Sequence, residues 1–170
     1  MNSMQKIKIE KLTLNIGAGR DERTLQRAVK LLKNITGIPP VQTKTSKRLA
    51  AWGLRPGLPI GAKITLREQD ITNELAQRLL RAKDNKIKLS WFDDYGNVSF
   101  GIHEYVDIPG VKYDTEVGML GLQVSITLTR PGYRVKRRKL QKSRIGKNQL
   151  IKKDEAIAYL TESFGVTMEE

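Results

Sequence analysis

From Leu58 to Leu66 the chain keeps a two-residue rhythm in which Ile60, Ala62, Ile64 and Leu66 alternate with Lys63, Thr65 and, one step on, Arg67. Successive side chains of a strand leave on opposite faces, so this segment has one dry face and one wet face. A strand of that kind belongs to a sheet covered on one side only, because a sheet buried on both faces asks for apolar residues throughout. Leu12, Leu14 and Ile16 repeat the rhythm near the start, with an irregularity expected between Ile9 and Leu12, and Val124, Ile126 and Leu128 repeat it late in the chain. Helical spacing falls between these strands. Leu25, Ala28, Val29, Leu32 and Ile35 form a stripe that begins after Asp21 and stops at Gly37 and Pro39-Pro40.

The remaining elements follow from the same signals. A short strand is expected over Val41 to Ser46, and a second helix, N-capped by Asp70, is expected to bury Ile71, Leu75, Leu79 and Ala82 and to expose Arg78 and Arg81. Ile87, Leu89 and Trp91 alternate as a strand, Asp93 to Asn97 has turn chemistry, and Val98 to Val106 runs back. A long loop occupies Asp107 to Gly121, and a last helix begins near Asp154, buries Ile157, Leu160 and Phe164, and ends at Gly165. The predicted class is α+β: a largely antiparallel sheet with helices packed on one face, plus protruding basic loops, the opposite sheet face being free to meet a partner. A length of 170 residues with 39% hydrophobic composition fits one domain spanning residues 1–170, with a protruding loop at about 46–57 and a basic excursion at about 130–153.

Charge is distributed unevenly over this frame. Val41 to Arg67 holds six basic residues and Arg130 to Lys153 holds eleven, neither stretch contains an acid, and the remainder carries 14 basic against all 18 acidic residues. Two acid-free basic segments on a slightly acidic body form a polyanion-binding footprint, with nucleic acid as the leading partner. An anionic membrane fits less well, since neither segment joins a basic face to a long apolar helical face and the apolar runs are strand-sized. The N-terminal MNSMQKIKIEK lacks the apolar core of a signal peptide, so an intracellular protein is expected. With no Cys there is no disulfide framework, thiolate nucleophile or Cys-ligated zinc.

Catalytic motifs are weak. Gly17-Ala18-Gly19 between a strand and a helix invites a dinucleotide-binding reading, but position 22 is Glu and the sheet is not expected to be parallel. A tight turn is the better reading, with Asn15 and the glycine amides available to an RNA backbone. His103 is the single histidine, and Asp93-Asp94 before Tyr95-Gly96-Asn97 is turn chemistry first. An alternative would make the chain a magnesium-dependent RNA-processing enzyme using Asp93, Asp94 or Glu104; another would make it a free RNA-binding assembly factor. Trp52 admits two readings, a core residue of a folded-back loop or an exposed platform for a base or ribose. In the excursion, Tyr133, Val135, Leu140, Ile145 and Leu150 interleave with uncompensated charges, which favours an ordered RNA contact through Arg130, Arg134, Arg137, Arg138, Lys139 and Arg144.

The runs IEKLTLNIGAG (Ile9 to Gly19), LLKNITGIPPVQTKTSKR (Leu31 to Arg48), RPGLPIGAKITLR (Arg55 to Arg67) and YGNVSFGIHEYVDIPGVKYD (Tyr95 to Asp114) closely resemble the large-subunit ribosomal protein five family. The excursion resembles the archaeal and eukaryotic branch, and the lack of a long C-terminal extension leans archaeal. The resemblance implies a structural, ribosome-bound cytoplasmic protein with no catalytic residues, metal or cofactor. It implies a grip on 5S rRNA through Asn15, Gly17, Thr43, Lys44, Thr65 and Arg67, and contact with a helix of the large-subunit rRNA among neighbouring proteins of the central protuberance. It also implies a loop from Ser46 to Gly57, carrying Lys47, Arg48, Trp52 and Arg55, that points toward P-site tRNA.

Overall fold

The structure, a computed structural model, describes residues 2–169. In chain order it contains β1 (Lys8–Gly17), α1 (Glu22–Thr36), β2 (Val41–Lys44), β3 (Pro59–Leu66), α2 (Gln69–Arg81), β4 (Lys86–Lys88) and β5 (Val98–Ile102). These are followed by β6 (Leu122–Thr129), the single helical turn α3 (Arg134–Arg137), α4 (Lys153–Phe164) and β7 (Thr167–Glu169). Five strands form a mostly antiparallel sheet in the order β2-β3-β1-β6-β5, while β4 and β7 pair in parallel as a separate ribbon. The α+β class expected from the alternating strands is the class observed.

The chain divides into two compact units, to both of which β1, β5 and β6 contribute residues. One comprises Thr13–Leu66 and Phe100–Val124. Its core joins Leu14 and Ile16 of β1, Leu25, Ala28, Leu31, Leu32 and Ile35 of α1, and Ala62, Ile64 and Leu66 of β3, and α1 packs against β3. Asp21 caps α1 by accepting from the Arg23 amide at 3.0 Å, and Gly37 closes it with its amide on the Lys33 carbonyl. The long loop of this unit is fastened twice. The buried Tyr105 hydroxyl accepts from the Asp114 amide at 2.9 Å, and Lys30 of α1 pairs with Asp114 at 2.9 Å and with Glu116. These contacts raise the Lys30 pKa, Glu116 contributing most, and lower that of Asp114, chiefly through Lys30.

The other unit comprises the N-terminal segment through Leu12, Arg67–Ser99 and the chain from Ser125 onward. Ile9, Leu12, Leu75, Leu79, Leu80, Ile87, Ile126, Ile151 and Leu160 are buried here. Gln69 donates from its side-chain amide to the Ile9 carbonyl, tying the start of α2 to β1.

Several expected details are corrected. α2 is preceded by Glu68 as its N-cap, so Asp70 lies in the first turn, where its charge still favours the helix N-terminus. Its buried face consists of Thr72, Leu75, Ala76, Leu79 and Leu80, whereas Ile71 is 37% exposed. Rows one residue apart on a helix flank each other, so either Ile71 or Thr72-Ala76-Leu80 could join Leu75 and Leu79, and tertiary packing selects the latter. β2 stops at Lys44, where the register with β3 shifts between Thr43 and Lys44. Leu89–Trp91 forms a 3-10 turn rather than strand, since β4 is only as long as its three-residue partner β7. β5 ends at Ile102, before the turn at Tyr105–Asp107 that is fastened to the Leu120 carbonyl.

Candidate nucleic-acid interface

In the unit built from Thr13–Leu66 and Phe100–Val124, alternation sends Leu14, Ile16, Ala62, Ile64, Leu122 and Val124 inward. It leaves Thr13, Asn15, Gly17, Lys63, Thr65 and Gln123 on the wet face. Thr43 of β2 sits opposite Gly61 and Val41 opposite Lys63, so the partners of each pair share a face. Gly61 is required at close quarters: a Cβ there would fall 2.6 Å from the Ile16 carbonyl oxygen and 3.0 Å from Thr43 Oγ1. Without a side chain at 61, the Thr43 hydroxyl lies low over the β3 backbone and stays half-buried.

Asn15 is half-buried and donates through Nδ2 to Gln123 Oε1 at 3.1 Å. That bond fixes which end of the Asn15 amide is turned away and leaves its carbonyl oxygen to accept from a ligand. The pair lines a shallow cleft of about 360 Å³ with Gly17, Gly101, His103 and Gly121. Gln123 escaped the sequence reading of the site. Its signal was the β6 alternation, which puts position 123 on the wet face once Leu122 and Val124 are taken as core. Strand order thus gathers Asn15, Gly17, Thr43, Lys44 and Thr65 on neighbouring strands, with Lys44 and Gly17 exposed and Thr65 half-buried. Arg67 belongs to the other unit and is exposed.

The loop between β2 and β3 has its own structure. Leu49 and Leu54 exchange backbone hydrogen bonds at 3.0 Å around a 3-10 turn at Ala50–Trp52, and Gly57 donates to the Thr45 carbonyl at 2.9 Å. Leu54 is the loop's buried residue at 8% exposure, while Trp52, which admitted either environment, is 69% exposed. Lys47, Arg48 and Arg55 are exposed beside it.

The basic excursion lies in the unit that also holds α2 and α4. Its charges are not all uncompensated, contrary to expectation. Arg130 is only 7% exposed and donates from Nη2 to Glu155 Oε1 at 2.8 Å. Arg137 pairs with Glu10 at 2.6 Å. Both carboxylates come from outside the acid-free run. Glu155 also accepts from the Lys152 amide at 3.0 Å, and these contacts, the amide foremost and then Arg130, hold its carboxyl below its usual pKa. Tyr133 anchors the excursion by donating to the Gln149 carbonyl at 3.0 Å and accepting from the Ile151 amide at 3.2 Å. Burial raises its hydroxyl pKa. Gln149 reaches the Met4 carbonyl at 2.8 Å, and Lys136 lies 5.9 Å from the centre of the Tyr95 ring. Arg134, Arg138, Lys139 and Arg144 are exposed. Leu140, read as one of the ordering residues, is 82% exposed, so the order comes from the roots of the excursion.

Of the carboxylates considered for magnesium chemistry, Asp93 is engaged in a turn. Asp93 accepts from the Tyr95 and Asn97 amides at 2.9 and 2.7 Å and from Asn97 Nδ2 at 2.6 Å, which is how the turn before β5 is held. Among the described residues no group of three His, Asp or Glu side chains is placed to hold a metal ion. No helix among them is long and apolar enough to cross a membrane.

Residues 2–55 match the family described as "Ribosomal protein L5", and residues 59–159 match the model of that ribosomal family's C-terminus. The chain is 50% identical over 163 residues to the large ribosomal subunit protein uL5 of Nanoarchaeum equitans, covering 96% of each chain. It is 46% identical to uL5 of Sulfurisphaera tokodaii over 171 residues, covering all of this chain and 96% of that one. To uL5 of Methanosphaera stadtmanae it is 42% identical over 169 residues, covering 99% of this chain and 100% of the relative.

Proposed function

Because the chain belongs to the uL5 family of large-ribosomal-subunit proteins, we propose that it is a noncatalytic, ribosome-bound subunit protein that grips 5S rRNA and attaches it to the large rRNA in the central protuberance. The grip uses Asn15, Gly17, Thr43, Lys44 and Thr65 on the wet face, together with Arg67. The observation that carries this reading is the wet face itself. It offers an amide oriented by Gln123, short hydroxyls and a lysine, with no carboxylate among these residues, which is a surface suited to ribose hydroxyls and phosphates. The loop at residues 46–57 faces P-site tRNA with Lys47, Arg48, Trp52 and Arg55. Arg134, Arg138, Lys139 and Arg144 meet rRNA from the excursion, where Arg130 and Arg137 serve mainly to brace it. Other central-protuberance proteins complete the surroundings.

The test is binding of purified chain to 5S rRNA across a salt series. Lys44→Glu and, separately, Arg67→Glu are each expected to weaken binding at every salt concentration. Each should also make the log–log salt slope shallower by about one unit, as one phosphate contact is lost. Affinity and slope equal to the unsubstituted chain would remove that residue from the grip.

A further inference from the structure

Arg20 stands just past the Gly17-Ala18-Gly19 turn and outside both basic stretches. The turn is pinned to the neighbouring strand, since the Ala18 and Gly19 amides both donate to the Ile60 carbonyl, at 2.9 and 3.0 Å. From there the Arg20 guanidinium lies over Gly53. A Cβ at position 53 would come within 2.5 Å of Nη1, 3.0 Å of Cζ and 3.3 Å of Nε, so the whole planar group rests where a side chain would otherwise be. Gly53 also has φ of 61°, in the left-handed region, and its amide closes the Ala50–Trp52 turn. Glycine therefore serves twice at this position, in conformation and in contact.

Arg20 enters in this way a cleft of about 580 Å³ that it lines with Arg48, Gly53, Leu54, Arg55 and Leu58. Three arginines line this space and no acidic residue does. Among the described residues none of the three has an ion-pair or hydrogen-bond partner. The adjacent Asp21 is engaged elsewhere, capping α1 through the Arg23 amide and the Thr24 hydroxyl. Three like charges beside the buried Leu54 repel one another, and the same low-dielectric wall strengthens their attraction for an anion. Planar guanidinium forks match the paired oxygens of a phosphodiester.

We propose that Arg20, Arg48 and Arg55 form a cradle for one backbone phosphate of an RNA strand, with Arg20 both setting the loop through Gly53 and completing the site. The anion site rests on the three arginines. Its occupant being RNA rests on the function proposed above, and exposed Trp52 gives the adjoining nucleotide a ring to stack on.

Side-chain Nε–Hε resonances of the full chain, followed by NMR during titration with inorganic phosphate at constant ionic strength, test the site. Arg20, Arg48 and Arg55 are expected to shift along one saturable curve while exposed Arg138 and Arg144 do not follow it. Arg20→Gln should weaken that response about tenfold or more, and Arg20→Lys, which keeps the charge but loses the fork, should weaken it with the backbone spectrum unchanged. A linear, equal response at all exposed arginines, an adventitious ion only, would overturn the cradle. So would unaltered affinity in a natively folded Arg20→Lys protein. In a second arm a short single-stranded RNA should displace phosphate from the three arginines; persistence of the phosphate signal at saturating RNA would overturn the RNA assignment. If the unsubstituted chain does not bind 5S rRNA while the three-arginine response persists, the proposed function fails and the anion site stands.

Discussion

Arg130 is the first residue of the basic excursion and the one that turns away from solvent. Its guanidinium is buried, it holds Glu155, and its Nε has no partner among the described residues. Removing the carboxylate leaves a buried cation with less compensation than before. Glu155→Gln is therefore expected to lower unfolding free energy by about 1–3 kcal/mol, measured by denaturant titration at neutral pH. The pH sense follows from the direction of the shift. The Glu155 carboxyl is depressed in the folded state, so its contribution is present above its ordinary unfolded pKa of about 4.3. It is lost as pH falls through the lower folded value. Acid unfolding of the glutamine variant should accordingly lack that part of the pH dependence. At this scale the sequence was legible in its charges and blind to their partners. Glu10 lies 127 positions from Arg137, and no spacing rule links residues so far apart. Asn15 was found through its motif, whereas its partner Gln123, 108 positions away, needed the strand order to be seen.

At the scale of elements, periodicity located α1, β1, β3, β6 and α4, because the repeat is visible in the chain, although α4 buries Ala156 with Leu160 and leaves Ile157 and Phe164 half-buried. It placed α2 but turned its face. The expected and observed faces share Leu75 and Leu79, and only packing shows that Thr72, Ala76 and Leu80, rather than Ile71, complete the buried side. Leu79→Ala should thus cost about 2–5 kcal/mol, whereas Ile71→Ser should stay within about 0.5 kcal/mol of the parent; in thermal or denaturant melts, a loss at Ile71 as large as that at Leu79 would restore the expected face. β7 gave no signal, since Thr167–Glu169 is too short for alternation, and its pairing with β4 is set by Asn85, whose carbonyl accepts from the Thr167 amide at 2.8 Å. The same reason truncated the strand expected through Trp91. The β2–β3 loop was recognised by its glycines, proline and charge, but its internal turn and the packing of Arg20 over Gly53 were not, because Arg20 sits in another segment.

For the whole molecule, a formal charge of +13 concentrated in two stretches is the property most directly exposed to measurement. If the chain neutralises roughly 6–10 phosphates, its affinity for 5S rRNA should fall by about 10³–10⁵ between 50 and 200 mM salt. A nearly flat salt series would assign recognition to hydrogen bonding and shape alone. The sequence carried this expectation because charge needs no fold to be counted, and it carried the α+β class because alternation survives in one dimension. The internal anchoring of the excursion was hidden, and that anchoring bears on how such a protein can change over time. Tyr133 joins Gln149 and Ile151, and Arg130 joins Glu155, so the base of the excursion is clamped while Leu140 at its far end packs on almost nothing. Once the base is closed, doubling the length of a flexible tip adds only about 0.6 kcal/mol of closure entropy. Changes of length between Arg138 and Arg144 are consequently expected to cost little and to leave the fold beneath them unchanged.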